Sequence, residues 1–271
     1  MTTPLPFAGA ARPLAPADIA QAARDLGCDR AAIEAVLAVE TGGLGGFLTD
    51  GSGRPAILFE AHHFSRESGG RFDASHPTLS VRSWDRSLYL GGRAEYGRLQ
   101  AAVALDRAAA LRATSWGLFQ ILGSNHRAAG FASAEAFVAA MAESEGRHLG
   151  AFIGFCRANG PARHLVVLDW ASFARGYNGG AYRENRYDTR LAAAYARARA
   201  AAPPEPVLRI GARGEAVQAL QAALNRAGAR LVVDGLFGRA TELALEAFQA
   251  VRRLGVDGVA GPATRAALLD S

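Results

Sequence analysis

The sequence contains no lysine, only two cysteines and no long apolar run, and each scarcity excludes something. Cys28 and Cys156 are too few for a disulfide scaffold and lack the paired spacing of a zinc site, so both read as buried thiols. No stretch of about 18 apolar residues is available to span a bilayer. The opening MTTPLPFAGAARPLAP has no basic region followed by a long apolar stretch, so no secretory signal and no stable membrane insertion are expected. A substrate outside the cytoplasm would therefore require some other agent to deliver the protein. All 30 basic residues are arginine, a bias that reads as codon usage rather than physics. Before residue 202 there are 22 arginines and 18 acids, net +4; after it there are 8 and 7, net +1. No dense basic run marks a nucleic-acid-binding arm, so no nucleic-acid partner is expected. The mild positive charge instead favours encounter with an acidic polymer or an anionic envelope.

What is present suits a packed, mainly helical protein. Half of the 271 residues are hydrophobic and 20% are charged, enough chain for a full-sized domain and a small one. Pro16–Leu26 reads as a helix stopped by Gly27, and Asp29 can cap the next one. In that second helix Ile33, Val36, Leu37 and Glu40 fall at i, i+3, i+4 and i+7, which places a carboxyl on the inward stripe. Glycines at 42, 43, 45 and 46 end the helix just beyond it. Burial and the negative end of the helix dipole both raise a carboxyl's pKa, the property a general acid needs to protonate a glycosidic oxygen. The alternative is an acidic head that simply emerges at a frayed helix end. Phe47 and Leu48 are expected to fold back over the glycine-rich turn.

Farther on, Ala56–Glu60 reads as a short buried strand with Glu60 as a second acid beside the core. His62 and His63 follow it but carry no zinc signature, so no metal and no cofactor are expected. Ala94–Ala113 is strongly helical by composition. In the stretch Thr114–Ile121, Phe119 and Ile121 read as buried, while Gln120 between them could turn its amide to a polar cleft; the alternative is a helix start capped by Ser115. Ser133–Phe155 gives one or two helices and His164–Phe173 another apolar helical patch. Arg175–Gly180 reads as a loop pairing Tyr177 with Asn178, a ring for an apolar sugar face and an amide for an N-acetyl or hydroxyl group. The plainer reading is a turn with Asn178 in left-handed conformation. Ala181–Ala201 closes this first domain as a helix, and residues 203–206 form a Pro-rich linker.

The last segment, 207–271, repeats itself: VDGLFGRAT at Val233–Thr241 matches VDGVAGPAT at Val256–Thr264, 23 residues later. Each copy reads as an Asp-Gly turn feeding a helix, with helices near Glu215–Ala227, Ala240–Leu254 and Pro262–Leu269. Leu220, Leu224, Leu245, Phe248 and Leu268 are their expected core. Three short helices suit a docking module better than an extensive catalytic cavity.

These residues match known families. Leu208–Leu268 closely resembles the small three-helix peptidoglycan-binding domain attached to cell-wall hydrolases. Residues 15–200, through VETGGLGGF, GRPAILFEAHHF, TSWGLFQI and ARGYNGGAYRENRYDTRLA, resemble the N-acetylmuramidase domain of modular phage endolysins. That resemblance implies a lysozyme-like helical fold at 1–202 cleaving the β-1,4 bond between N-acetylmuramic acid and N-acetylglucosamine. It carries the catalytic glutamate onto Glu40 and the second acid onto Glu60. Gly117 and Gln120 then match cleft residues, and Tyr177 and Asn178 a cleft-lining pair. The turn after Glu40 is longer than the usual pattern, and the binding module follows the catalytic domain where many relatives place it first. The expected partner is peptidoglycan, met by a monomer made in a host cytoplasm and acting on the periplasmic wall. Two other readings stay open: a lytic transglycosylase leaving 1,6-anhydro ends, and a non-catalytic wall-binding structural protein.

Overall fold

The structure is a computed structural model that describes residues 6–178, 183–201 and 207–269. It divides into two compact units, Met1–Ala201 and Ala202–Ser271. The linker expected at 203–206 lies outside the described residues.

The first unit is helical around a three-stranded antiparallel sheet. Its elements are α1 (Pro16–Leu26), α2 (Arg30–Thr41), β1 (Ile57–Phe59), α3 (Ala61–Glu67), α4 (Glu95–Leu105), α5 (Arg107–Arg112), β2 (Thr114–Trp116) and β3 (Ile121–Leu122). Then follow α6 (Ala134–Glu143), α7 (Glu145–Asn159), α8 (Ala162–Val166), α9 (Trp170–Asn178) and α10 (Tyr187–Ala201). The sheet order is β1-β2-β3, with Ile57 opposite Trp116 and Trp116 opposite Ile121. Phe59, Phe64, Trp116, Phe137, Phe152 and Phe173 are sealed in one core, each burial contributing about 1.5–3 kcal/mol before chain entropy is subtracted.

Local chemistry explains the elements. Asp29 caps α2, its carboxylate accepting from the Ala31 amide at 2.9 Å, and Gly27 and Gly42 end α1 and α2 in left-handed conformation. α2 runs antiparallel to α10: Asp29 at its start accepts hydrogen bonds from Tyr195 and Arg199, and the Val39 carbonyl near its end accepts one from Arg190. The lead before α1 is structured as well. Arg12 pairs with Ser144 as a parallel β-bridge at the α6–α7 junction, and Phe7 packs against Tyr96 and Trp116.

One expectation is refined and two are corrected. Ala94–Ala113 is helical as expected, in two helices, because the Asp106 carboxylate accepts from the Ala109 amide and starts a new one. Thr114–Trp116 is a strand rather than a capped helix start: Thr114 is fully buried, its hydroxyl donates to the Ala110 carbonyl, and its neighbours pair with β1 on one side and β3 on the other. Arg175–Asn178 is the last turn of α9 rather than loop, since Phe173 and Tyr177 sit four apart on its inward face.

In the second unit α11 (Glu215–Arg226), α12 (Arg239–Val251) and α13 (Pro262–Leu269) enclose Leu220, Leu224, Leu245, Phe248 and Leu268. Each repeat is organised by one buried glutamine that sequence reading overlooked. Gln221 Nε2 donates to Asp234 Oδ1, the Leu236 carbonyl and Thr241 Oγ1 at 2.8, 3.1 and 3.2 Å. Gln249 makes the corresponding bonds to Asp257, Val259 and Thr264 at 2.8, 3.1 and 3.1 Å. A fully satisfied buried amide fixes a turn without an unpaired polar atom.

Candidate active site

Glu40 occupies the last turn of α2, half-buried against helices from the far end of the unit. Burial pushes its pKa up from the ordinary 4.5 to about 7, opposed by a hydrogen bond from Tyr177 and the positive charge of Arg190. Its Oε1 is buried and has no hydrogen-bond partner among the described residues. A carboxyl buried with one oxygen held and the other unpaired keeps its proton more readily than an exposed one. Tyr177 is fixed by Phe152, Phe155 and Phe173, at ring separations of 5.2, 6.4 and 5.9 Å. Its hydroxyl hydrogen-bonds the Glu40 carboxyl, and its ring packs among those three phenylalanines.

Glu60 follows β1 at the N-cap position of α3, where its side chain makes no capping bond. Both its oxygens are engaged: Tyr89 donates to Oε2 at 3.1 Å and Ser115, on β2, to Oε1 at 3.2 Å. Beneath it lies a buried ion pair, Glu95–Arg98, at 3.0 Å. Glu95 accepts from the amides of Phe59, Leu90 and Gly91, while Arg98 donates to the Phe59 and Thr78 carbonyls. This pair thus clamps the residue before Glu60 and the two after Tyr89. No feature of the sequence pattern beyond the i, i+3 spacing of Glu95 and Arg98 announces it.

A run of backbone bonds connects the two neighbourhoods. Gly46, in the turn after Glu40, accepts from the Ala56 amide at 2.8 Å; the Ala56 carbonyl accepts from Gly117 at 2.8 Å and from the Gln120 side chain at 3.2 Å. Gln120 also donates to the Gly117 carbonyl at 2.8 Å. It sits at φ +47, and these two bonds offset the strain of a left-handed glutamine. Its amide nitrogen therefore braces the β2–β3 hairpin. Gly117, at φ +70, must be glycine, because a Cβ there would lie 2.8 Å from His148 Nδ1. His148 is buried, accepts from the Leu118 amide and donates to the Met141 carbonyl, and carries Phe47 on its ring at 5.0 Å. Glu145, first residue of α7, accepts from Gly46 at 2.6 Å and from Leu14 at 2.8 Å, fixing the glycine-rich turn.

Comparison with known proteins gives this arrangement a family. Residues 29–199 match N-acetylmuramidase, a span that holds Glu40, Glu60, Gly117, Gln120, Tyr177 and Asn178. The chain belongs to the N-acetylmuramidase family. Residues 213–268 match a peptidoglycan-binding domain. Among solved structures, the Burkholderia AP3 phage endolysin is 43% identical with a TM-score of 0.66, covering 70% of this chain and 73% of that one. The SleB N-terminal domain is 41% identical with a TM-score of 0.25, covering 26% of this chain and 96% of that one. A search of the curated proteins found no match. The muramidase and peptidoglycan-binding matches name one polymer, and the chain is a peptidoglycan hydrolase.

Around the muramidase site, further groups are accounted for. Glu60, His62 and His63 bring one ligand-type atom each within 4.8 Å of one another, so the third candidate ligand missed by helical spacing is Glu60 itself. The Arg66 guanidinium contacts His63 Nδ1, and both Glu60 oxygens accept hydrogen bonds, from Tyr89 and Ser115. The side chain of Asn178 lies outside the described residues. Cys156 is buried near Glu40, and Cys28 is half-buried, its pKa pushed up to about 11 by burial. A cavity of about 410 Å3 between Phe7–Ala10 and α6 includes neither acid. No helix among the described residues is long and apolar enough to cross a membrane.

Proposed function

We propose that this muramidase acts as an endolysin, hydrolysing the β-1,4 bond between N-acetylmuramic acid and N-acetylglucosamine, with Glu40 as general acid. The observation that carries the reading is the Glu40 carboxyl itself: its pKa raised to about 7, held by Tyr177 at the end of α2, its Oε1 buried and without a partner among the described residues. In the first step Glu40 gives its proton to the O4 atom of the departing N-acetylglucosamine as the C1–O4 bond breaks and positive charge develops at the muramyl C1. Glu60 stabilises that charge or orients the water whose oxygen bonds to C1; the water's proton returns to a carboxylate, leaving a reducing muramyl end. Gly117 and Gln120 shape the cleft wall through the hairpin, and Tyr177 orients Glu40. Asn178 is retained as a substrate contact on resemblance alone. The C-terminal module tethers a monomeric enzyme to its insoluble polymer and raises the local substrate concentration. The proposed route is synthesis in a host cytoplasm and action on the periplasmic wall.

Digestion of purified sacculi followed by mass spectrometry tests this reading. Hydrolysis yields reducing ends; 1,6-anhydro products would assign the chain to lytic transglycosylation, and release of no fragment despite sacculus binding would assign it to wall binding alone.

A further inference from the structure

Between α3 and α4 the chain leaves the core, and residues 81–91 run along the Glu60 side of the unit, with a 3-10 turn at Arg86–Leu88. Most side chains on this loop are polar. Trp84 is the exception in size, 59% exposed where the other two tryptophans, Trp116 and Trp170, are buried and half-buried. An indole left in water forgoes burial free energy, and tryptophan, apolar in its rings and polar at its N–H, is enriched at contact surfaces. It is also held in place. The Tyr89 ring lies 6.3 Å away at 53°, and Trp84 hydrogen-bonds the Tyr89 hydroxyl, which in turn donates to Glu60 Oε2. The loop is pinned at both ends, by the Val81 amide donating to the Ala61 carbonyl at 3.4 Å and by Glu95 accepting from Leu90 and Gly91.

We propose that Trp84 is a substrate-binding residue: its indole face stacks on the apolar face of an N-acetylated pyranose of the glycan strand, in a subsite bordering Glu60. The proposal rests on the glycan-cleaving role given above to Glu60. Sugar fits better than a protein partner because the ring stands in a polar, charged setting. Its immediate neighbours Arg82, Ser83, Asp85 and Arg86 are exposed and polar, whereas the centre of a protein interface is apolar and depleted of charge. A pyranose presents one C–H face to an aromatic ring and directs hydroxyl and N-acetyl groups sideways, toward such a rim.

The test uses the full chain and peptide-free N-acetylglucosamine–N-acetylmuramic acid oligosaccharides. In the Glu40→Gln background, adding glycan should shift tryptophan emission, and the shift should vanish when Trp84→Phe is added while calorimetric binding persists. Trp84→Ala should raise KM about tenfold with kcat changed less than about threefold, and Trp84→Phe should restore most of the loss. Both variants should unfold at the wild-type midpoint, since the ring is exposed. Wild-type KM and binding in Trp84→Ala would overturn the proposal. If wild-type protein released no fragments yet glycan still moved the Trp84 signal, the platform would stand and the catalytic reading would fall; absence of glycan binding by the wild-type chain would overturn both.

Discussion

Glu40 and Glu60 are the same side chain at the edge of a secondary-structure element, and their neighbours alone tell them apart. Glu40 lies among Phe152, Phe155, Phe173 and Cys156 by way of Tyr177, with one oxygen unsatisfied and a pKa near 7. Glu60 lies over a buried ion pair with a donor on each oxygen. An apolar setting with an unpaired oxygen favours the protonated form of Glu40, whereas both Glu60 oxygens accept hydrogen bonds. In the proposed mechanism this difference in packing is what gives the two carboxyls different tasks.

That contrast can be broken from either side. The largest effect is expected from Glu40→Gln, which removes the transferable proton and should lower kcat between about a hundredfold and ten-thousandfold with sacculus binding intact; substantial turnover would remove Glu40 from the acid role. Arg98→Met leaves Glu95 buried and unpaired and should cost about 3–5 kcal/mol in urea unfolding, loosening the Tyr89 loop while the alkaline limb of the pH profile stays where it was. Glu60→Gln should lower kcat by about a hundredfold with little change in KM, and unchanged kinetics would demote Glu60 to a structural residue. Stability carries a further mark of the Glu40 side. Because its folded pKa is raised from 4.5 to about 7, the native state gains from that proton below pH 4.5 and loses the gain as pH rises through 7. Glu40→Gln should therefore be more stable than wild type above pH 7, by at most about 2–3 kcal/mol, with the gap closing below pH 4.5 in thermal melts. The smallest effect belongs to Tyr177→Phe. Its hydroxyl lowers the Glu40 pKa, so the variant's alkaline limb should move upward, by less than about one pH unit; a downward shift would contradict the assigned bond.

Much of this contrast was legible on the Glu40 side, because helical spacing and a glycine stop are local signals. The bounds of α1, the Asp29 cap and the inward carboxyl all follow from neighbours within a turn or two. The Glu60 side was not. Its supports, Tyr89, Ser115, Glu95 and Arg98, come from four separate stretches, and Ser115 was read as a possible cap because a three-residue strand has too little pattern to oppose a helix start. Tyr177 was identified as a candidate site residue without its bond to Glu40, since no pattern in α9 reveals that Glu40 stands opposite. In the second unit the Asp-Gly repeats were visible and the glutamines that bind them were not: Gln221 and Gln249 lie 28 residues apart whereas the repeats lie 23 apart, so self-comparison at one period passes over them.

The carboxylate of Glu145 ties the turn after Glu40 to Leu14, a residue of the lead ahead of α1. The turn beside Glu40 is thus mechanically coupled to the lead ahead of the first helix, with Phe7 seated on Trp116 as its anchor. Anyone shortening the protein, or grafting a peptide onto it, should make the junction upstream of Phe7 or at the opposite terminus; trimming to the start of the first helix would release the turn and, if Glu40 is the acid proposed above, dull the enzyme without altering either candidate carboxyl.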